Sequence, residues 1–134
     1  MSIVTDWSQY PSFKASEFVC RCGCGSIGVS EKFMDMLQQA RTMAGVPFAI
    51  TSGCRCERHN NANSISVASD HLVGDFSICC GVDIRCVDPT IRHRMLKTFY
   101  EVGFSRIGIR QSFIHVGIGR SLGGRNDDDV VWLY

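Results

Sequence analysis

From Ser30 onward, apolar residues recur at three- and four-residue spacing (Phe33, Met36, Leu37, Ala40, Met43) in a segment that ends near Ala44. This is the stripe of an amphipathic helix. Ser30 can cap it, Glu31 suits the positive end of the helix dipole, and Gly45-Val46-Pro47 stops it. Residues 48–51 have the aromatic and β-branched content of a short strand, ending at Ser52-Gly53. Residues 60–68 are polar and without period, so they read as a loop. Residues 81–86 alternate, placing Val82, Ile84 and Cys86 on one face and Asp83 and Arg85 on the other.

A second helix is predicted over Pro89–Val102, with Ile91, Met95, Phe99 and Val102 on its buried stripe and Gly103 as its stop. The last third reads as strands at 106–109, 113–118 and 130–133, with a turn near Arg110-Gln111 and a glycine-rich loop through Asn126. The segment through Phe13, with Trp7, Tyr10 and Pro11, reads as an irregular arm lying against the body. This order of elements predicts an α+β fold: a small antiparallel sheet with flanking helices, in one domain of 134 residues without internal repeat.

Composition narrows the classes. Hydrophobic residues are 45% and charged residues 20%, an ordinary globular balance that excludes a disordered or collagen-like chain. Fourteen Lys and Arg against 13 Asp and Glu leave a net charge of +1, too little to draw nucleic acid by bulk electrostatics. No run approaches the ~18 consecutive apolar residues of a membrane span. The first residues lack a basic patch followed by an apolar run, so no signal peptide is expected and the chain is expected to begin in a reducing cytoplasm.

Eight cysteines require an explanation, and four of them, Cys20, Cys22, Cys24 and Cys56, are candidates for a structural metal site. Cys-x-Cys spacing is short for two bonds to one tetrahedral ion. Disulfides, with Cys54, Cys79, Cys80 or Cys86 as further partners, and plain reduced thiols therefore remain open beside it.

Of four histidines, His71 follows Ser69-Asp70 in a loop, and His115 lies mid-strand on the face opposite Ile114 and Val116. Were the strands carrying Asp83 and His115 to lie together, two imidazoles and a carboxylate would form a catalytic zinc set with a fourth position left for water. The bland readings are that Asp83 pairs with Arg85 or Arg106, Arg55 is a salt-bridge partner, and Trp132 and Tyr134 are packing residues. On the same view His59 orders its loop, His93 sits on the exposed face of the second helix, and neither is assigned to metal.

Ser52-Gly53-Cys54-Arg55-Cys56 with His59-Asn60, then Ser69-Asp70-His71-Leu72-Val73-Gly74, Gly81-Val82-Asp83-Ile84 and Phe113-Ile114-His115-Val116 resemble, in order, the zinc D-Ala-D-Ala carboxypeptidase and L-alanyl-D-glutamate endopeptidase family. The cysteine-rich loop, the Ser30 helix and the closing Val130-Val131-Trp132-Leu133-Tyr134 are similar to phage-encoded members. The resemblance implies a Hedgehog/DD-peptidase fold and zinc held by His71, Asp83 and His115. It also implies Arg55 on a substrate carboxylate, with Ser69 supporting the site by hydrogen bonding. The implied substrate is the peptide stem of bacterial peptidoglycan. The implied setting is a phage endolysin, in the host cytoplasm before lysis, or a virion-borne enzyme with other virion proteins as partners.

Two departures from the family pattern stand out. The metal Asp normally follows the first His by seven residues, whereas here residues 76–80 interrupt the motif and Asp75 becomes a rival ligand. Many members also carry an acid three before or two after the last His, where this chain has Ser112 and Gly117. Asp75 and the Asp127-Asp128-Asp129 run are the candidate substitutes for the general base, although such a run is ordinarily a solvated turn. The departures support an alternative: a zinc-containing wall-binding or virion domain with impaired catalysis. A cysteine-centred zinc module, with the His-Asp-His trio incidental, is a second rival.

Overall fold

The computed structural model describes residues 2–63 and 69–134. Its sheet has five strands in the order β1-β2-β4-β3-β5. Their ranges are β1 Ile50–Ser52, β2 Gly81–Arg85, β3 Arg106–Ile109, β4 Phe113–Gly117 and β5 Val130–Leu133, with helices α1 (Glu31–Ala44), α2 (Glu57–Asn63) and α3 (Pro89–Val102). The fold is α+β with a small sheet and flanking helices, as expected, and the sheet is antiparallel apart from one edge pair, which makes it mixed. The 118–129 connection carries the chain past β3 to its far edge, so β5 pairs with β3 in parallel while the other pairs are antiparallel.

Helix α1 begins where its cap requires: Ser30 Oγ accepts the Phe33 N–H, and Gly45 closes the other end in the left-handed conformation at φ 68°. Asp88 caps α3 through the N–H groups of Thr90 and Ile91, with Pro89 in the first turn and Gly103 at φ 106° as the stop. Phe33, Met34, Leu37 and Ala40 from α1 and Met95 and Phe99 from α3 are buried with Val82, Ile84, Ile107, Ile114 and Val116 of the sheet. The N-terminal arm packs on this body as expected, with Trp7 and Phe13 against the fully buried Phe18.

The reading of residues 60–68 as loop is corrected over its first part, since residues 60–63 belong to α2; residues 64–68 lie outside the described residues. The α2 sequence Glu-Arg-His-Asn-Asn-Ala-Asn has no apolar stripe, so periodicity could not reveal it. Strand β1 is also displaced, starting at Ile50 because Phe48 turns inward onto Phe99. No helix among the described residues is long and apolar enough to cross a membrane.

Register positions the chemistry. Asp83 of β2 pairs with His115 of β4, His115 with Gly108 of β3, and Gly108 with Trp132 of β5. These residues form one row across the sheet. They point away from the apolar core because neighbouring rows (Val82, Val116, Ile107 and Ile84, Ile114) point into it.

Candidate metal centre

The row opens into a pocket of about 730 Å³ lined by Arg55, His71, Asp83, His115, Trp132 and Tyr134 among others. His71 reaches it from the loop after the undescribed segment. That loop is stitched to residue 55: the Arg55 N–H donates to the His71 carbonyl at 2.8 Å, and the Val73 N–H donates to the Arg55 carbonyl at 2.9 Å. Ser69 Oγ accepts the His71 N–H at 3.2 Å, which tightens the turn that presents the imidazole. Ser69 therefore supports the site by a hydrogen bond to its backbone.

The ligand atoms of His71, Asp83 and His115 all lie within 4.8 Å of one another, and all three residues are buried. Asp83 Oδ1 is 3.3 Å from His71 Nε2 and 2.9 Å from His115 Nδ1. The outward nitrogen of each imidazole has its own acceptor. His71 Nδ1 is 2.7 Å from the Gly53 carbonyl, and His115 Nε2 is 2.9 Å from Asp70 Oδ2. With those outer nitrogens donating, His71 Nε2 and His115 Nδ1 are the nitrogens turned toward Asp83 and the ones that would ligate a metal; in the metal-free site His115 Nδ1 instead donates to Asp83 Oδ1. Two imidazoles, a carboxylate and two outer acceptors fit a zinc ion.

Charge is distributed accordingly. Burial pushes His71 below the ordinary imidazole pKa and outweighs the opposing effect of Asp83, so it stands neutral, as a ligand must. Burial acts in the same sense on His115, but the hydrogen bonds that it donates to the Asp70 and Asp83 carboxylates outweigh it and raise the pKa. Burial would raise Asp83 and Asp70, yet His115 and their other partners hold both carboxyls well below the usual carboxylate range.

Asp70 is the residue that sequence reasoning missed. Its carboxylate also accepts Arg106 Nε at 2.9 Å and Asn126 Nδ2 at 2.8 Å, and its carbonyl accepts the Cys80 N–H at 2.8 Å. Arg106 therefore pairs with Asp70, while Asp83 pairs with Arg55 at 3.5 Å. The clue lay beside His71 in Ser69-Asp70-His71, but Asp70's partners come from remote segments that no spacing connects.

Residues 74–77 make an exposed turn, and the chain then re-enters the body at Cys79 and Cys80, which are buried. Gly74 and Ser77 exchange backbone hydrogen bonds at the tip, and Cys79 bonds back to Gly28 and Ser30. Asp75 sits exposed at that tip and does not line the pocket, so the structure brings Asp83, and not Asp75, to the histidines. The expectation of Asp75 as rival ligand or base has no geometric support. In the Asp127-Asp128-Asp129 run, Asp127 pairs with Arg120 and Asp128 with Ser105 and Ser121; none lines the pocket. Trp132 and Tyr134 do more than pack: they wall the pocket, with the indole 5.3 Å from the His115 ring and beneath the Arg106 guanidinium.

The sulfurs of Cys20, Cys22, Cys24 and Cys56 form a second convergence within 4.8 Å, and none of the four lines the pocket. All eight cysteines are free thiols, and Cys54, Cys79, Cys80 and Cys86 are buried in the core. His59 Nδ1 lies 3.2 Å from Cys20 Sγ, an association that loop-ordering did not anticipate.

Residues 11–117 match the family described as Peptidase M15. The chain belongs to that family. M15 peptidases are zinc-dependent metallopeptidases, and His71, Asp83 and His115 are the residues in this M15 chain that could hold the ion. No curated protein and no solved structure matches the chain.

Proposed function

We propose that this M15 chain hydrolyses a peptide bond in the peptide stems of bacterial peptidoglycan, as a phage endolysin or a virion-associated wall-opening enzyme. In the endolysin case it would stay in the host cytoplasm until lysis, and in the virion case other virion proteins would be its partners. The observation that carries the reading is Arg55 on the wall of the pocket that holds His71, Asp83 and His115. A guanidinium there can grip a substrate carboxylate with two parallel bonds, and wall peptides are rich in carboxylates.

In this reading His71, Asp83 and His115 hold zinc, which when bound polarises the scissile carbonyl and lowers the pKa of a water toward ~7. Arg55, steadied by a bond from Nε to Ser52 Oγ at 3.1 Å, sets the register of the peptide. Arg110 at the rim adds a second cation for an anionic chain. Trp132 and Tyr134 flank the peptide and exclude water from one side. Asp70 keeps the Nε2 proton on His115 so that Nδ1 faces the ion.

One observation favours the alternative of a zinc-containing domain with impaired catalysis. Among the described residues, the side-chain carboxylates lining the pocket are Asp70 and Asp83, and both are engaged by cations or imidazoles. Digestion of purified peptidoglycan with zinc-loaded protein, against a chelated control, separates the two readings by mass spectrometry of new peptide termini. Metal-dependent termini, abolished in His115→Ala, are expected. Bound zinc and wall pull-down without new termini would transfer the assignment to the alternative.

A further inference from the structure

We infer that Cys20, Cys22, Cys24 and Cys56 hold a second metal ion of the zinc class, a structural one that ties the 20–24 loop to the start of α2. The loop is shaped for it. Cys20-Arg21-Cys22-Gly23-Cys24-Gly25 turns through two glycines in the left-handed region, Gly23 at φ 89° and Gly25 at φ 78°, and so folds three cysteines onto one side. Cys56, at the start of α2, supplies the fourth sulfur.

The spacing suits one tetrahedral ion. Cys20 and Cys22 sulfurs are 3.5 Å apart, and Cys22 and Cys56 sulfurs are 3.6 Å apart. A tetrahedron with metal–sulfur bonds of about 2.3 Å has edges near ~3.8 Å. The short Cys-x-Cys spacing is thus able to span one edge, because the intervening backbone is looped and not extended.

The surroundings suit thiolates. The Cys56 N–H donates to Cys20 Sγ at 3.4 Å, and the His59 N–H donates to Cys56 Sγ at 3.4 Å. The Arg58 guanidinium reaches Cys22 Sγ at 3.9 Å, and His59 Nδ1 lies 3.2 Å from Cys20 Sγ, the place of an N–H donor to a thiolate. Four thiolates around a divalent cation leave an excess of two negative charges, and these donors offset it; binding releases the four thiol protons.

The ion also answers a structural question. A seven-residue polar helix is far below the length that holds itself in water, and α2 has no apolar stripe to bury. Cys56 precedes its first residue directly and follows Arg55, while Cys54 donates its N–H to the Phe18 carbonyl at 2.8 Å. An ion on Cys20 and Cys56 would clamp the 53–56 segment through residues that do not line the pocket. That segment carries both Arg55 and the Gly53 carbonyl that orients His71.

Metal counting on the full chain, prepared under reducing conditions with zinc supplied, tests this by native mass spectrometry and elemental analysis. Two zinc equivalents are expected in the wild type, and one in His71→Ala/His115→Ala, which leaves the cysteines untouched. One is also expected in Cys22→Ser/Cys56→Ser. Cobalt added to His71→Ala/His115→Ala should give thiolate-to-cobalt charge-transfer absorption, and this reading is independent of how well the cysteine variant folds. A wild type whose single equivalent is lost in His71→Ala/His115→Ala, a histidine variant with no ion and no charge-transfer band, or an intact mass lighter by the hydrogens of a disulfide would overturn the inference. Loss of the ion from His59→Ala but not from Cys24→Ser would overturn the four-thiolate set.

Discussion

Asp70 and Gly117 compete for one space: a Cβ built on Gly117 would lie 2.8 Å from Asp70 Oδ2. Across β2, a Cβ on Gly81 would lie 2.7 Å from the Asp70 Cβ and 2.9 Å from His115 Nε2. Gly81 and Gly117 are paired in the ladder, so two facing glycines make the notch into which the Asp70 carboxylate fits. Gly117 is the position where the family resemblance leads one to expect an acid. In this chain an acid from the neighbouring loop stands against the same histidine.

Gly117→Asp is therefore expected to weaken zinc binding, although the family pattern alone would make it a restoration. The new side chain meets Asp70 at less than contact distance and places a second carboxylate beside a buried one. Both effects push Asp70 off His115. Zinc affinity by chelator competition should fall in Gly117→Asp and recover partly in Asp70→Ala/Gly117→Asp, where the space is vacated. Tighter zinc binding in the single variant would contradict the competition.

Asp70→Asn tests the outer bond by itself. The amide keeps the shape and an acceptor oxygen but loses the charge that steadies His115, so zinc affinity should drop by ~10–100-fold with the fold retained. Circular dichroism should be unchanged while the chelator titration moves. An unaltered affinity would reduce Asp70 to a partner of Arg106 and Asn126.

The same carboxylates set the pH dependence. In the metal-free site Asp70 and Asp83 outweigh burial and raise His115 above the ordinary imidazole value, so it retains its proton to higher pH than a free histidine. Zinc must expel that proton. Affinity should therefore fall as pH drops from a point above ~6.5, by up to about tenfold per pH unit for the one proton. Asp70→Asn should shift this onset to lower pH, even though its affinity at high pH is weaker. Titrations between pH 5 and 8 would detect the crossing of the two curves, and parallel curves would count against Asp70 as a source of the shift.

What the sequence made legible follows from how local each signal is. Ser30 with the apolar stripe that follows it, Asp88-Pro89, and the glycines after each helix are local, and α1 and α3 begin and end where those residues predict. His71, Asp83 and His115 were readable as a set because the order of short motifs around them resembles the family, and β2–β4 pairing then places Asp83 beside His115. Asp70 was not: its partners His115, Arg106 and Asn126 come from three remote segments, and its notch is made of two absences of side chain. The parallel β5 was hidden for a related reason, since a glycine-rich loop records no direction, and with it went the role of Trp132 in the pocket wall.

Gly108 gives the last prediction, and its sign is the informative part. Glycine within a strand ordinarily costs stability, so Gly→Ala in a regular β3 would gain about 0.5–1 kcal/mol. At residue 108 a Cβ would lie 2.5 Å from Cε2 and 2.6 Å from Nε1 of Trp132 on the paired strand. The indole covers the glycine, with its ring beside His115 and under Arg106. Gly108→Ala must swing the indole away or part β3 from β5, and either should destabilise the protein by ~1–3 kcal/mol. The displaced ring would also uncover His115 and lose its contact with the Arg106 guanidinium. In a Trp7→Phe background, where Trp132 is the remaining tryptophan of the two in the chain, denaturant unfolding should show the loss and the native emission should shift toward that of an exposed indole. A more stable Gly108→Ala with unchanged emission would mean that Trp132 does not close the pocket over the row of Asp83 and His115.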